Sequence, residues 1–94
     1  MMYWLLYDIS NNKRRNKLTQ LCKDFGLIRI QKSCFLGDIE EKKMVSFCRK
    51  MDSLLEPEDD VCMIPVTDKD VSETMVWGTT NVEAEVGKEE ICFI

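Results

Sequence analysis

The sequence predicts an α+β domain of order βαββαβ, the ferredoxin-like split unit, with an extra C-terminal strand and a second copy of the chain completing its core. Three observations carry this prediction. An almost unbroken apolar run opens the chain, two helical stripes follow at i, i+3, i+4 and i+7 spacing, and short β-branched or apolar runs separate and follow those stripes.

The first run, Tyr3-Trp4-Leu5-Leu6-Tyr7-Asp8-Ile9, suits a central strand buried on both faces. From Asn12 to Phe25, Leu18, Leu21, Cys22 and Phe25 form one helical stripe, and Gly26 supplies the left-handed stop. Between Leu27 and Leu36, Ile28, Ile30, Cys34 and Leu36 alternate with Arg29, Gln31, Ser33 and Phe35, the pattern of one long strand or two short ones. Asp38 followed by Glu41 has the form of a helix N-terminus, and Met44, Phe47, Cys48, Met51, Leu54 and Leu55 continue it as a second helix over roughly residues 40–55. Pro57 and Glu58-Asp59-Asp60 read as a solvated turn. Val61 to Val66 is then a strand whose Pro65 points to a sheet edge or a strand end. Residues 67–73 and 79–88 read as polar connections, Met75-Val76-Trp77 as a short strand or turn, and Ile91 to Ile94 as an apolar segment of strand character. Both helices fall on one face of the sheet, which leaves the other face without cover inside the chain. A two-fold homodimer would bury it. The division expected is a ferredoxin-like domain over 1–78 and a C-terminal linker and strand over 79–94 that joins the dimer or another partner.

At 94 residues the chain hides about 60 to 65 per cent of its unfolded surface, a thin core that dimerisation would reinforce. It has no run of about 20 apolar residues and no basic, small-residue leader, so the expectation is a cytoplasmic protein with no membrane partner. Cys22, Cys34, Cys48, Cys62 and Cys92 contain no C-x-x-C pair and read as buried free thiols. The absence of histidine excludes imidazole acid-base chemistry and a Ser-His-Asp hydrolase. The net charge of −4 hides a strong polarity. Residues 1–50 carry eleven Lys/Arg against five Asp/Glu, whereas residues 51–94 carry two against twelve. The first half is therefore basic enough to meet nucleic acid, and the acidic half suits repulsion of nucleic acid from one face or docking to a basic surface, for which Glu83, Glu85, Glu89 and Glu90 are candidates.

Chemistry concentrates where the first strand meets the first helix. Asp8 ends an apolar run, a costly place for a carboxylate unless it caps the following helix, forms an ion pair or binds a metal. Lys13, Arg14, Arg15 and Lys17 follow at once. Cations in a first helical turn oppose the helix dipole, and a bound phosphate would reverse that sign; the alternative is a solvated charged turn. One carboxylate is too few for Mg²⁺-dependent hydrolysis in a monomer, but a dimer could bring Asp8 and its symmetry mate to one ion. Arg29 and Lys32 extend the basic set. Phe35 stacks on a base or packs in the core, and Trp4 and Tyr7 read first as core residues. Gln31 and Ser33 serve the site, the dimer contact or a strand junction.

Tyr7-Asp8-Ile9-Ser10, Lys13-Arg14-Arg15-Asn16-Lys17-Leu18, Gly26-Leu27, Arg29-Ile30-Gln31-Lys32-Ser33-Cys34-Phe35 with Gly37, and Ile64-Pro65-Val66-Thr67 together closely resemble the CRISPR-associated protein two family, the small partner of the spacer integrase. The resemblance spans residues 2–78. It implies a ferredoxin-like homodimer in which the Asp8 of each chain binds Mg²⁺ or Mn²⁺ across the two-fold and is the catalytic carboxylate. It implies a scaffold of the integrase complex on double-stranded DNA, with metal-dependent endonuclease activity on DNA or single-stranded RNA. It also implies that Arg15, Lys17, Arg29 and Phe35 neighbour the site, with Tyr7 and Ser33 beside it. Lys17 stands where some relatives have arginine, and Phe35-Leu36-Gly37 replaces a commoner Phe-Glu-Gly. A toxin-like endoribonuclease or a non-catalytic nucleic-acid-binding module on the same fold is the alternative.

Overall fold

The computed structural model describes residues 1–78 and the backbone of Cys92–Phe93. The elements are β1 (Met2–Asp8), α1 (Asn12–Asp24), β2 (Ile28–Gln31), β3 (Cys34–Asp38), α2 (Glu41–Leu54), β4 (Asp60–Val66), α3 (Asp68–Glu73), β5 (Met75–Val76) and β6 (Cys92–Phe93). The first four strands form one sheet in the order β2-β3-β1-β4, with every neighbouring pair antiparallel. That is the split βαββαβ arrangement the sequence predicts, and Pro65 lies on an edge strand as expected.

β1 is central, but it is not buried on both faces. Its odd residues Leu5 and Tyr7 are buried with Ile9 against the two helices, while Leu6 and Asp8 are exposed on the opposite face. Leu18, Leu21 and Cys22 of α1 and Phe47 and Met51 of α2 close the helical side, and the Phe25 and Phe47 rings meet edge to face at 5.1 Å. Each such side chain, fully buried, stabilises the fold by about 1.5–3 kcal/mol. Gly26, at φ 86°, ends α1 in the left-handed region. Gly37 is fixed by space, because a Cβ there would stand 2.8 Å from the Leu27 Cα.

Three local expectations are corrected. Asp38 does not cap α2: it ends β3 and pairs with the Met1 ammonium at 2.7 Å, and Glu40 stands at the cap without a side-chain bond. Residues 68–73 form a helix, not a plain connection, because Thr67 and Asp70 make a reciprocal capping box and Val71 packs beneath it. The face opposite α1 and α2 is covered in part within the chain. Val71 of α3 and Val76 of β5 pack on Ile30 and Leu36, with Met2, Trp4, Ile28 and Val66 around them. What stays open is a groove of about 360 Å³ over β1 and β4, where Trp4, Leu6 and Ile64 face Met75 and Trp77. The Gln31 amide donates to the Trp77 carbonyl at 2.5 Å and ties this flap to β2.

β6 pairs in parallel with β5 of its own chain. The expected linker, with Glu83, Glu85, Glu89 and Glu90, lies outside the described residues. No helix among those described is long and apolar enough to cross a membrane. The expectation of buried thiols holds for Cys22, which burial pushes up to about 12, and in part for half-buried Cys34, pushed up to about 11. Cys48 and Cys62 are exposed.

Candidate functional site

Side chains alternate across a strand, so the residues singled out around Asp8 divide between the two faces of the sheet. Asp8 stands exposed at the end of β1, on the open face, in a shallow recess of about 430 Å³ shared with Leu6, Tyr7, Asp60, Val61 and Cys62. It does not cap α1. Asn11 does so, its side chain accepting the Arg14 N–H at 2.9 Å. Among the described residues Asp8 has no hydrogen-bond or ion-pair partner, so two of the three uses for a carboxylate at this place are removed. Directly across from it, in register, stands Asp60. The sequence places Asp60 in a solvated turn; the structure makes it the first residue of β4.

Tyr7 and Phe35 point to the helical side. The Tyr7 hydroxyl donates to the Lys32 carbonyl at 2.8 Å and its N–H to the Ser33 carbonyl at 3.1 Å, so Tyr7 staples the β2–β3 turn to the end of β1 beside Asp8. Ser33 itself is exposed in that turn. Phe35 is fully buried, 6.3 Å from the Tyr7 ring, and the Arg29 guanidinium lies 5.4 Å above it. Of the two readings for Phe35, the structure shows the core one. Arg29 also donates to the Thr19 hydroxyl at 3.1 Å, joining β2 to α1.

The cations at the start of α1 are used unequally. Lys13 and Lys17 are exposed. Arg15 donates to the Ile9 carbonyl at 3.1 Å and to the Asn12 side chain, holding the loop that follows Asp8. Arg14 grips Asp59 through two bonds of 2.7 and 3.1 Å and reaches Glu58 at 2.8 Å. Asp59 is therefore no solvated turn residue; only 1% of its side chain is exposed, and it also accepts the Glu56 N–H at 3.0 Å. The Arg14 bond, then the Glu56 amide, holds the Asp59 carboxyl below the usual carboxylate range, and Asp59 raises Arg14 in turn.

A carboxyl depressed in the folded state contributes stability above its unfolded pKa of about 4 and loses it as pH falls through the folded value. Melting curves between about pH 7 and about pH 3 should therefore show Asp59→Asn below the wild type at neutral pH, with the gap closing on acidification. A gap that stays constant would mean that packing, not charge, is what the substitution removes.

The description CRISPR associated protein Cas2 belongs to a family whose profile matches residues 1–74 of this chain. The chain belongs to that family. It is 36% identical over 70 residues to a CRISPR-associated endoribonuclease Cas2 of Korarchaeum cryptofilum, an alignment covering 71% of this chain and 73% of the relative. It is 30% identical over 84 residues to CRISPR-associated endoribonuclease Cas2 1 of Archaeoglobus fulgidus, covering 88% and 89%. Among solved structures it resembles a hypothetical protein TT1823 from Thermus thermophilus, with a TM-score of 0.65, 33% identity and coverage of 70% and 80%. The Cas2 match takes in β1 to the end of α3, and so includes Asp8, the basic start of α1 and the β2–β3 turn.

Asp8 offers carboxylate oxygens in an open recess with room for ordered water, the environment Mg²⁺ and Mn²⁺ prefer. Among the described residues no group of three or more His, Cys, Asp or Glu could hold a metal ion, so one chain does not complete such a site by itself.

Proposed function

We propose that this chain is a CRISPR adaptation protein that acts as a homodimer, binds double-stranded DNA as the central scaffold of the spacer integrase complex, and retains Mg²⁺-dependent endonuclease chemistry at Asp8. The observation that carries this reading is Asp8 itself: an exposed carboxylate on the open face of the central strand, neither capping a helix nor paired among the described residues, next to a cationic helix start. Pairing two copies through the open groove buries Leu6, Ile64, Met75 and Trp77, which a single chain leaves exposed. It also brings a second Asp8 toward a site one chain leaves incomplete.

Within that reading each residue has a task. Asp8 holds the cation. Lys13 and Lys17 attract the phosphate chain, Arg15 fixes the Ile9 carbonyl and hence the loop between Asp8 and α1, and Tyr7 holds the Lys32-Ser33 turn. Arg29 and Phe35 support the strand from the helical side. A bound Mg²⁺ or Mn²⁺ supplies neutralisation of charge developing on phosphate oxygens. Arg14, held by Asp59 and Glu58, shapes the helix start. A second reading, a metal-dependent endoribonuclease acting alone, is favoured by the names of the relatives.

Labelled RNA and duplex DNA, incubated with wild type and Asp8→Ala in Mg²⁺ or EDTA, test both readings, alongside duplex binding with and without the integrase. Cleavage is expected to fall about a hundredfold or more in the variant, the scale of losing one electrostatic stabiliser. Integrase-dependent duplex binding is expected to survive. Cleavage unaffected by Asp8→Ala would overturn the site, and duplex binding unchanged by the integrase would favour the second reading.

A further inference from the structure

We infer that the groove between α1 and α2, on the side of the sheet away from Asp8, is a track for the phosphate backbone of duplex DNA, carried by cations of α2; the inference rests on the duplex-binding reading just given. Helical periodicity sorts the charges of α2. Phe47 and Met51 face the core, and Lys43 and Lys50, seven residues apart, share one flank with Lys42 and Arg49 beside them. The Lys50 ammonium lies 5.4 Å from the Phe25 ring at the end of α1, so this flank is the one turned toward α1. Glu41 and Asp52 fall on the other flank. Across the groove α1 presents Lys13 and Lys17, one turn apart and on the same side as Arg14, which reaches the Glu58-Asp59 turn after α2.

Stability does not account for this placement. Lys13 stands in the first turn of α1, and Lys42 and Lys43 in that of α2, where the helix dipole disfavours cations; α2 has no basic residue in its last turn, where one would help. Glu40 meets Lys42 at 3.4 Å and Lys43 at 3.6 Å, but exposed pairs of that kind add little. Lys13, Lys17 and Arg49 have no ion-pair or hydrogen-bond partner for their side chains among the described residues. The other side of the sheet has the opposite sign, with Asp8, Asp60, Asp68, Asp70 and Glu73 exposed against Lys69. The sheet thus separates charge, and a polyanion is repelled on one side and attracted on the other. Two copies paired through the open groove would keep both helical faces outward, so that assembly leaves the track uncovered. α2 is about 21 Å long, the rise of about six base pairs, so its cations extend the contact begun by Lys13 and Lys17 along a duplex.

The test is fluorescence anisotropy of a labelled duplex of about 30 base pairs with the full chain, alone and with the integrase, over about 0.05–0.3 M salt. Wild type is compared with Arg49→Gln, with the combined Lys42→Gln, Lys43→Gln, Arg49→Gln and Lys50→Gln variant, and with Lys69→Gln on α3 as a charge-matched control. Every side chain replaced is exposed, and circular dichroism establishes that the variants fold. The slope of log affinity against log salt is expected to shrink by about one for Arg49→Gln and by about three to four for the combined variant, near 0.9 for each phosphate contact. It is expected to stay at the wild-type value for Lys69→Gln. A combined variant with the wild-type slope overturns the inference, and the duplex reading then stands if Lys13→Gln with Lys17→Gln still lowers the slope. A wild type that binds no duplex in either condition overturns both. An equal loss in Lys69→Gln would mean that net charge and not the track is being read, and overturns the inference too. So would polyglutamate that displaces the duplex as well, charge for charge, as unlabelled duplex does, since the face would then be a docking surface for acidic protein.

Discussion

Replacing Phe35 with alanine is expected to lower the stability of the chain by about 3–5 kcal/mol. Domains of this size are stable by about 5–15 kcal/mol in all, so the variant would sit close to the edge of unfolding. Phe35 has no exposed surface, pairs with Leu5 on β1 and packs beside Tyr7 under the Arg29 guanidinium. The cavity would thus open in the core over β1 and β3, whose backbones are fixed by their pairing in the sheet and cannot collapse into it. Removing the ring also strips Arg29 of the aromatic face that steadies a half-buried charge. Urea unfolding followed by circular dichroism measures the loss, and Phe35→Leu should recover a large part of it. Among molecules that remain folded, nucleic-acid affinity should be nearly unchanged, because the ring is not available to stack on a base. An affinity that falls while stability holds would return Phe35 to the binding surface.

If the chain self-associates through the open groove as proposed, Leu6→Glu should convert the dimer into monomers while leaving the monomer folded. In one chain Leu6 is 40% exposed and stands between Cys34 and Cys62 on the open face, so a glutamate can reach water there. Against a second copy seated on this groove the same carboxylate would be taken out of water without a partner, on the face that already carries Asp8. Uncompensated burial of that kind costs several kcal/mol, which is a hundredfold or more, at about 1.4 kcal/mol per factor of ten, in the dimer dissociation constant. Sedimentation velocity over a range of concentrations reads the change, and circular dichroism establishes that the fold survives. A Leu6→Glu chain that sediments as the wild type does would move the self-association surface off this groove.

The order of elements was legible because periodicity is a local property. Leu18, Leu21 and Cys22 or Phe47 and Met51 announce a buried helical stripe wherever the chain later places it, and Gly26 announces where the first one ends. What was not legible depends on register. Trp4-Leu5-Leu6-Tyr7 reads as apolar on both faces, yet which half meets the helices is set by pairing with β3 and β4. The same holds for Glu58-Asp59-Asp60, three acids that look alike in sequence. One reaches Arg14 from an exposed position, the next is buried in the same clasp, and the third joins a strand facing Asp8. For α3 a signal was present in Thr67-x-x-Asp70, but a six-residue helix with one buried residue, Val71, has too short a stripe to announce itself. At the candidate site, Asp8 and the cations were visible from residue type and order. Their division between two faces, and the capture of Arg14 by an acidic turn 45 residues away, required the folded chain.

The position of β1 has a consequence for how the chain is made. β1, which precedes its partners in the chain, is the strand both sheet neighbours need, and its far partner, β4, is complete only at Val66. Until that residue has left the ribosome, one edge of β1 has no pairing within the nascent chain, and Leu6 and Trp4 are displayed beside it. The helices and the β2–β3 hairpin rest on local contacts and can form early, but closing the sheet must wait for a contact that spans most of the domain. A stalled or truncated product ending before β4 would carry a bare apolar edge of the kind that recruits other strands. An interrupted chain of this kind is therefore exposed at β1 even though every residue of β1 has already been made.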